Sequence, residues 1–151
     1  MIRALKALFE VPPQETAEQL QHRLALAAAA LLIETARADF VEDAAEQAAL
    51  EELLVNSLAV ERSAVRALVT AAVEQVEEAT SLYDFTRVIN DHYSALQKLQ
   101  LIEAMWAVAF ADGNIDKYEE HLIRQVAELT YVPHQDYIRA KLIAEKAAKG
   151  S

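Results

Sequence analysis

Apolar residues recur along this chain at three- and four-residue intervals, and over no useful length do they alternate with period two. That pattern predicts helices throughout. After Pro12-Pro13, Thr16 with Gln19 three residues later forms a capping-box signal. The helix it starts runs to about Arg37 through Leu20, Leu24, Leu31 and Ile33, with alanines at 27–30 that leave a thin face for another helix to approach. A polar turn from Asp39 to Asp43 precedes a second helix, about Ala44 to Val55, which Asn56-Ser57 closes. A third, about Glu61 to Ala79, carries Val65, Leu68, Val69, Ala72, Val73 and Val76 at helical spacing.

Beyond the break at Thr80-Ser81, Tyr83-Asp84 opens a short linking helix over about 84–93. A longer helix, about Ser94 to Ala111, holds Leu96, Leu99, Met105, Trp106 and Phe110, of which the last three, at helical spacing, read as core rather than a cofactor box. The turn Asp112-Gly113-Asn114-Ile115-Asp116 leads into a helix ending near Tyr131, and after Val132-Pro133 a last helix spans His134 to about Lys146. The expectation is a single all-α domain over residues 1–151, a bundle of about seven or eight helices.

Sliding the chain against itself by 73 residues places Asp39 on Asp112, Asp43 on Asp116 and Glu46 on Glu119 without a gap. Ala36 and Ala38 also fall on Ala109 and Ala111, and Arg66, Ala67 and Ala71 on Arg139, Ala140 and Ala144. Val60-Glu61 meets Pro133-His134, where each third helix should begin. Two halves, about 17–79 and 94–148, therefore each read as helix, acidic turn, helix, break, helix. In a pseudo-two-fold bundle the two acidic turns would lie near each other.

Composition narrows the function. Hydrophobic residues are 54% of the chain, with 2 Gly and 3 Pro, which suits helices because glycine and proline interrupt them. A net charge of -10 repels nucleic-acid phosphates and anionic membrane surfaces, and favours cations or cationic partners. The absence of cysteine removes disulfides, thiolate metal sites and Cys nucleophiles. The longest uncharged apolar run, Leu24 to Ile33, is about half of the roughly 20 residues a membrane span needs. The basic, apolar start Met1 to Phe9 is stopped by Glu10 and Pro12-Pro13, so it reads as a short docked helix, and the protein as soluble and cytoplasmic.

The chemistry-bearing pattern is Asp-x3-Asp-x2-Glu, present in both turns. The second, Asp112 to Glu119, looks like the latter part of an EF-hand loop, with Gly113 at the bend and Glu119 on the following helix. Val108 and Phe110 stand where an EF-hand places its first two acids, so a complete EF-hand is ruled out. Asp39, Asp43, Glu46, Asp112, Asp116 and Glu119 are the candidate ligands of a divalent cation, Ca²⁺ first and Mg²⁺ next. The competing reading makes Asp43 with Glu46, and Asp116 with Glu119, helix-capping pairs. Capping does not account for Asp39 and Asp112, which sit at helix ends where the dipole disfavours anions. Phe40 replaces Gly113 in the first turn, which weakens that turn as a tight bend.

The stretch Ala104 to Glu120, with its Ala-Asp-Gly-x-Ile-Asp-x-x-Glu core, resembles the TerB (tellurite-resistance protein B) family. Glu34 to Asp39, Ile123, Val132-Pro133 and Asp136-Tyr137-Ile138 extend the resemblance over roughly residues 20–145. It implies a compact helical fold, a link to tellurite-resistance and stress-response gene clusters, divalent-cation binding by the six acids, and a sensing or scaffolding role with membrane-associated partners. It implies no catalytic activity.

The remaining candidates carry less. His22, His92, His121 and His134 form no pair at metal-ligand spacing and read as solvent-facing or capping groups. With Gly113 and Gly150 the only glycines, no phosphate-cradling loop is possible, and no nucleophile elbow accompanies the Ser, His and Asp present. Glu74, Glu77 and Glu78 read as a solvated face or one that attracts a basic partner. Two functions from different classes follow: a cation-binding regulatory or scaffold module, and a metal-free helical module that binds a protein partner and whose acids only cap helices. A metal-dependent hydrolase is a third and weaker reading, since no pocket is visible in the sequence.

Overall fold

The computed structural model describes residues 15–36, 44–78, 82–111, 115 and 117–150. They form seven α-helices: α1 (Ala17–Ala36), α2 (Ala44–Ser57), α3 (Arg62–Glu77), α4 (Leu82–His92), α5 (Ala95–Phe110), α6 (Lys117–Leu129) and α7 (His134–Gly150). No described residue lies in a strand, as the all-α expectation requires. The N-terminal segment read as a docked helix lies outside the described residues, as do Asp39, Asp43, Asp112 and Asp116.

Two capping boxes open the long helices. The Thr16 hydroxyl accepts from the Gln19 amide at 3.0 Å, and the Gln19 side chain accepts from the Thr16 amide at 2.9 Å. Ser94 and Gln97 repeat the arrangement at α5, at 3.2 and 2.8 Å. Each box satisfies backbone donors that the first helical turn leaves without partners.

The stretch Ala27–Leu32 is fully buried at 0% exposure, and its four alanines at 27–30 keep the helix thin where it is most crowded. Short side chains let several helices approach the α1 backbone at once, and α1 packs against α3, α4, α5 and α6. The heaviest contacts pair α1 with α3 and α5 with α7, while α1 and α5 meet between them. Trp106, Met105 and Phe110 of α5 are core residues as expected. The Trp106 ring lies 5.3 Å from Tyr137 and 6.0 Å from Phe110, centroid to centroid. Lys141 sits 5.6 Å from that ring and gives its ammonium to Glu120 at 2.7 Å, so one aromatic cluster joins α5, α6 and α7.

Corresponding helices start at nearly the same separation: α2 and α6 by 73 residues, α3 and α7 by 72. The helix starts therefore depart by one residue from the 73-residue offset at the later pair, because α2 has 14 residues and α6 has 13. Glu61, rather than Val60, stands opposite Pro133 before the third helix. Both second helices are followed by a non-glycine residue in the left-handed region, Ala59 (φ 58°) and Tyr131 (φ 60°). At α6 the Val132 amide bonds the Ala127 carbonyl at 2.9 Å and the Tyr131 amide the Glu128 carbonyl at 3.2 Å, a Schellman end without its usual glycine. The Asn90 amide of α4 donates to the Leu129 carbonyl and ties the linking helix to that end.

Candidate functional site: a cavity between the acidic helix starts

The described residues on either side of the two acidic segments, 39–43 and 112–116, converge. Ala36, at the end of α1, and Ala111, just past α5, line one cavity of about 260 Å³ together with Glu46 of α2 and Glu119 of α6. Its remaining walls are apolar: Ala49, Leu50 and Leu53 from α2, Ala107 and Val108 from α5. Glu46 and Glu119 are the two glutamates that the 73-residue offset superposes. Each is the third residue of its helix, where backbone N–H groups and the positive end of the helix dipole favour a carboxylate.

Burial distinguishes the pair from ordinary surface acids. Glu119 is 2% exposed and Glu46 is half-buried. A carboxylate at that depth loses its water and must be compensated by donors, protons or a cation. Glu34, near the end of α1, is also affected by its surroundings: burial pushes its carboxyl above the usual range.

Of the six acids singled out in the sequence, the structure therefore brings Glu46 and Glu119 to one cavity, and the four aspartates lie outside the described residues. Among the described residues, no group of three or more His, Cys, Asp and Glu side chains stands close enough to hold a metal ion. Two carboxylates offer at most four oxygens, short of the six to eight that calcium takes. The donor type is right for a hard cation, and a full shell needs the aspartates or water.

Other polar groups became visible only in three dimensions. Arg23 is 5% exposed and holds Glu15 through two bonds of 2.8 and 3.0 Å, which keeps the Glu15 carboxyl below its ordinary range. The Arg23 guanidinium also lies 3.4 Å from His92 Nε2, a nitrogen that must accept there because arginine only donates. His92 was expected to be a solvent-facing or capping group; it also touches the α1 ion pair. A second hollow, about 210 Å³, is lined by Asn56, Ser57, Gln97, Gln100 and Tyr93 among others. Burial pushes the Tyr93 hydroxyl up to about 12.

A family model described as tellurite resistance protein TerB matches residues 25–142, and the chain belongs to that family. The match spans the cavity, both acidic segments and about half of α7. No curated protein and no solved structure matches the chain. No helix among the described residues is long and apolar enough to cross a membrane.

Proposed function

We propose that this chain is a non-enzymatic TerB-family module in which a divalent cation, Ca²⁺ before Mg²⁺, draws the two halves together at the Glu46–Glu119 cavity. The observation that carries the reading is the meeting of these two glutamates, one from each half, in a single partly enclosed space. Glu46 and Glu119 would hold the ion together with Asp39, Asp43, Asp112 and Asp116, the acids that precede them in each turn. The ion would supply the positive charge that relieves carboxylate repulsion and would stiffen the helix starts around it. A surface stiffened in this way serves sensing or scaffolding with a protein partner, in the stress and tellurite-resistance setting of the family, within the cytoplasm.

A second reading rests on the same geometry. Because both glutamates are third residues of their helices, their charge would complement the positive end of the helix dipole with no ion present, and the module would then be a metal-free protein-binding bundle. A thermal melt after chelator treatment, repeated with excess Ca²⁺, Mg²⁺, Mn²⁺ and Zn²⁺, separates the two. The cation reading expects a rise with one ion that Asp112→Asn abolishes. No rise with any ion would leave the acids as helix caps.

A further inference from the structure

The last helix differs in character from the rest of this acidic protein. α7 carries four basic residues, Arg139, Lys141, Lys146 and Lys149, against two acids, Asp136 and Glu145, in a chain of net charge -10. Its outward face also leaves three large aliphatic side chains in water: Ile138 at 37% exposure, Leu142 at 56% and Ile143 at 55%. Lys141 is turned inward to Glu120 and Trp106. Lys149 makes only a loose contact of 3.9 Å with Glu145, and Arg139 and Lys146 make no ion pair among the described residues. Going round the helix, Lys146 and Arg139 fall between Leu142 on one side and Ile143 on the other.

That order bears on what covers the face. A helix lying in a membrane surface sinks an apolar centre and keeps its charges at the margins. Here the charges occupy the centre and the aliphatics flank them. The pattern suits a partner that presents carboxylates between apolar or small side chains.

The chain itself carries such a partner on the helix that occupies the corresponding place in the first half. α3 and α7 start 72 residues apart, and at that spacing Glu74 corresponds to Lys146 and Glu77 to Lys149. Glu74, Glu77 and the neighbouring Glu78 are exposed and make no ion pair among the described residues. Ala67 and Thr70, preceding them on the outward side, are small enough to receive Ile138 and Leu142. α3 packs on α1 and α2, and α7 on α5 and α6, so the two faces belong to different flanks of one molecule. They therefore meet only between molecules, in a head-to-tail contact.

We infer that the basic, aliphatic face of α7 docks on the acidic C-terminal half of α3 of a second copy of this chain. A single helix pair buries less than a standard interface, so the association is weak, concentration-dependent and salt-sensitive. This inference is independent of the cation reading.

Sedimentation velocity of the full chain, from low concentration to about 1 mM, tests it at low salt and again near 1 M salt. The expected result is a mass that rises with concentration at low salt and returns to the monomer at high salt. Lys146→Glu with Lys149→Glu, and separately Glu74→Lys with Glu77→Lys, should each weaken association at least about tenfold. Mixing the two variants should restore it, because each then offers the face the other lacks. All four positions are exposed, and unchanged helical circular dichroism would confirm that the variants fold. A wild-type chain that stays monomeric at low salt overturns the inference. So does failure of the mixture to recover. A lysine-dependent binding to phosphatidylglycerol vesicles or to a synthetic acidic peptide, with no self-association, would assign the face to that occupant instead and equally overturn it.

Discussion

Replacing Glu119 by glutamine keeps its size and hydrogen-bonding reach and removes its charge from a site that is 2% exposed. If the cavity holds a cation, the metal-free protein brings the two carboxylates of Glu119 and Glu46 to one largely apolar hollow, where like charges repel. Glu119→Gln should then raise the melting temperature of the metal-free protein and abolish the rise produced by metal. The size of that rise follows from mass action. An ion present at about a hundred times its Kd stabilises by about 2.7 kcal/mol. For a domain of this length each kcal/mol is about 2–4 °C, so the wild-type rise should be about 5–11 °C. If Glu119 only completes the first turn of α6, the same substitution removes a charge–dipole interaction of about 0.3–1 kcal/mol and lowers the melting temperature by about 1–4 °C. The two accounts thus differ in sign before any metal is added. Differential scanning calorimetry of both proteins, with chelator and with each ion, reads both quantities. Equal metal-induced shifts in wild type and variant would refute a ligand role for Glu119, and a lower metal-free melting point with no shift in either would refute the cation reading.

Three further outcomes are expected. Tyr131 is 80% exposed and held at φ 60°, so Tyr131→Gly relieves left-handed strain without losing packing; allowing for glycine's greater unfolded-state freedom, it should gain about 0.5–1 kcal/mol, read as a small rise in Tm. Trp106→Ala empties the centre of the α5–α7 aromatic cluster and should cost about 3–5 kcal/mol in urea unfolding. Glu34 has its folded-state carboxyl raised by burial, so its contribution favours the folded state below the unfolded value of 4.5 and is lost as pH rises through the folded value. Glu34→Gln should therefore stabilise the protein at pH 7 and make little difference near pH 4, and a gain of equal size at both would exclude titration of Glu34 as the cause.

Much of the fold was legible in one dimension because helices are local. Thr16 with Gln19 marked the start of α1 within a residue, and the thin alanine face at 27–30 announced a helix that others crowd. The helix breaks and the burial of Trp106 and Met105 were readable from spacing alone. The one-residue departure from the 73-residue offset was not, because it depends on how far α2 continues before Ala59 turns left-handed. The burial of Arg23 could not be read either, since its partners are Glu15 before the helix and His92 at the far end of α4.

The amino-acid order by itself determined an all-helical chain, its punctuation, and two acidic turns placed 73 residues apart. Each of these depends on neighbours within a turn or two of helix, where spacing and capping decide the backbone. Only the tertiary structure decided that Glu46 and Glu119 open into the same cavity and that the aliphatic and basic side of α7 faces water. Those facts depend on how α1 packs on α5, and on how α3 lies on α1 and α2 and α7 on α5 and α6. Such contacts join residues far apart in sequence, and the pattern within any one helix does not specify them.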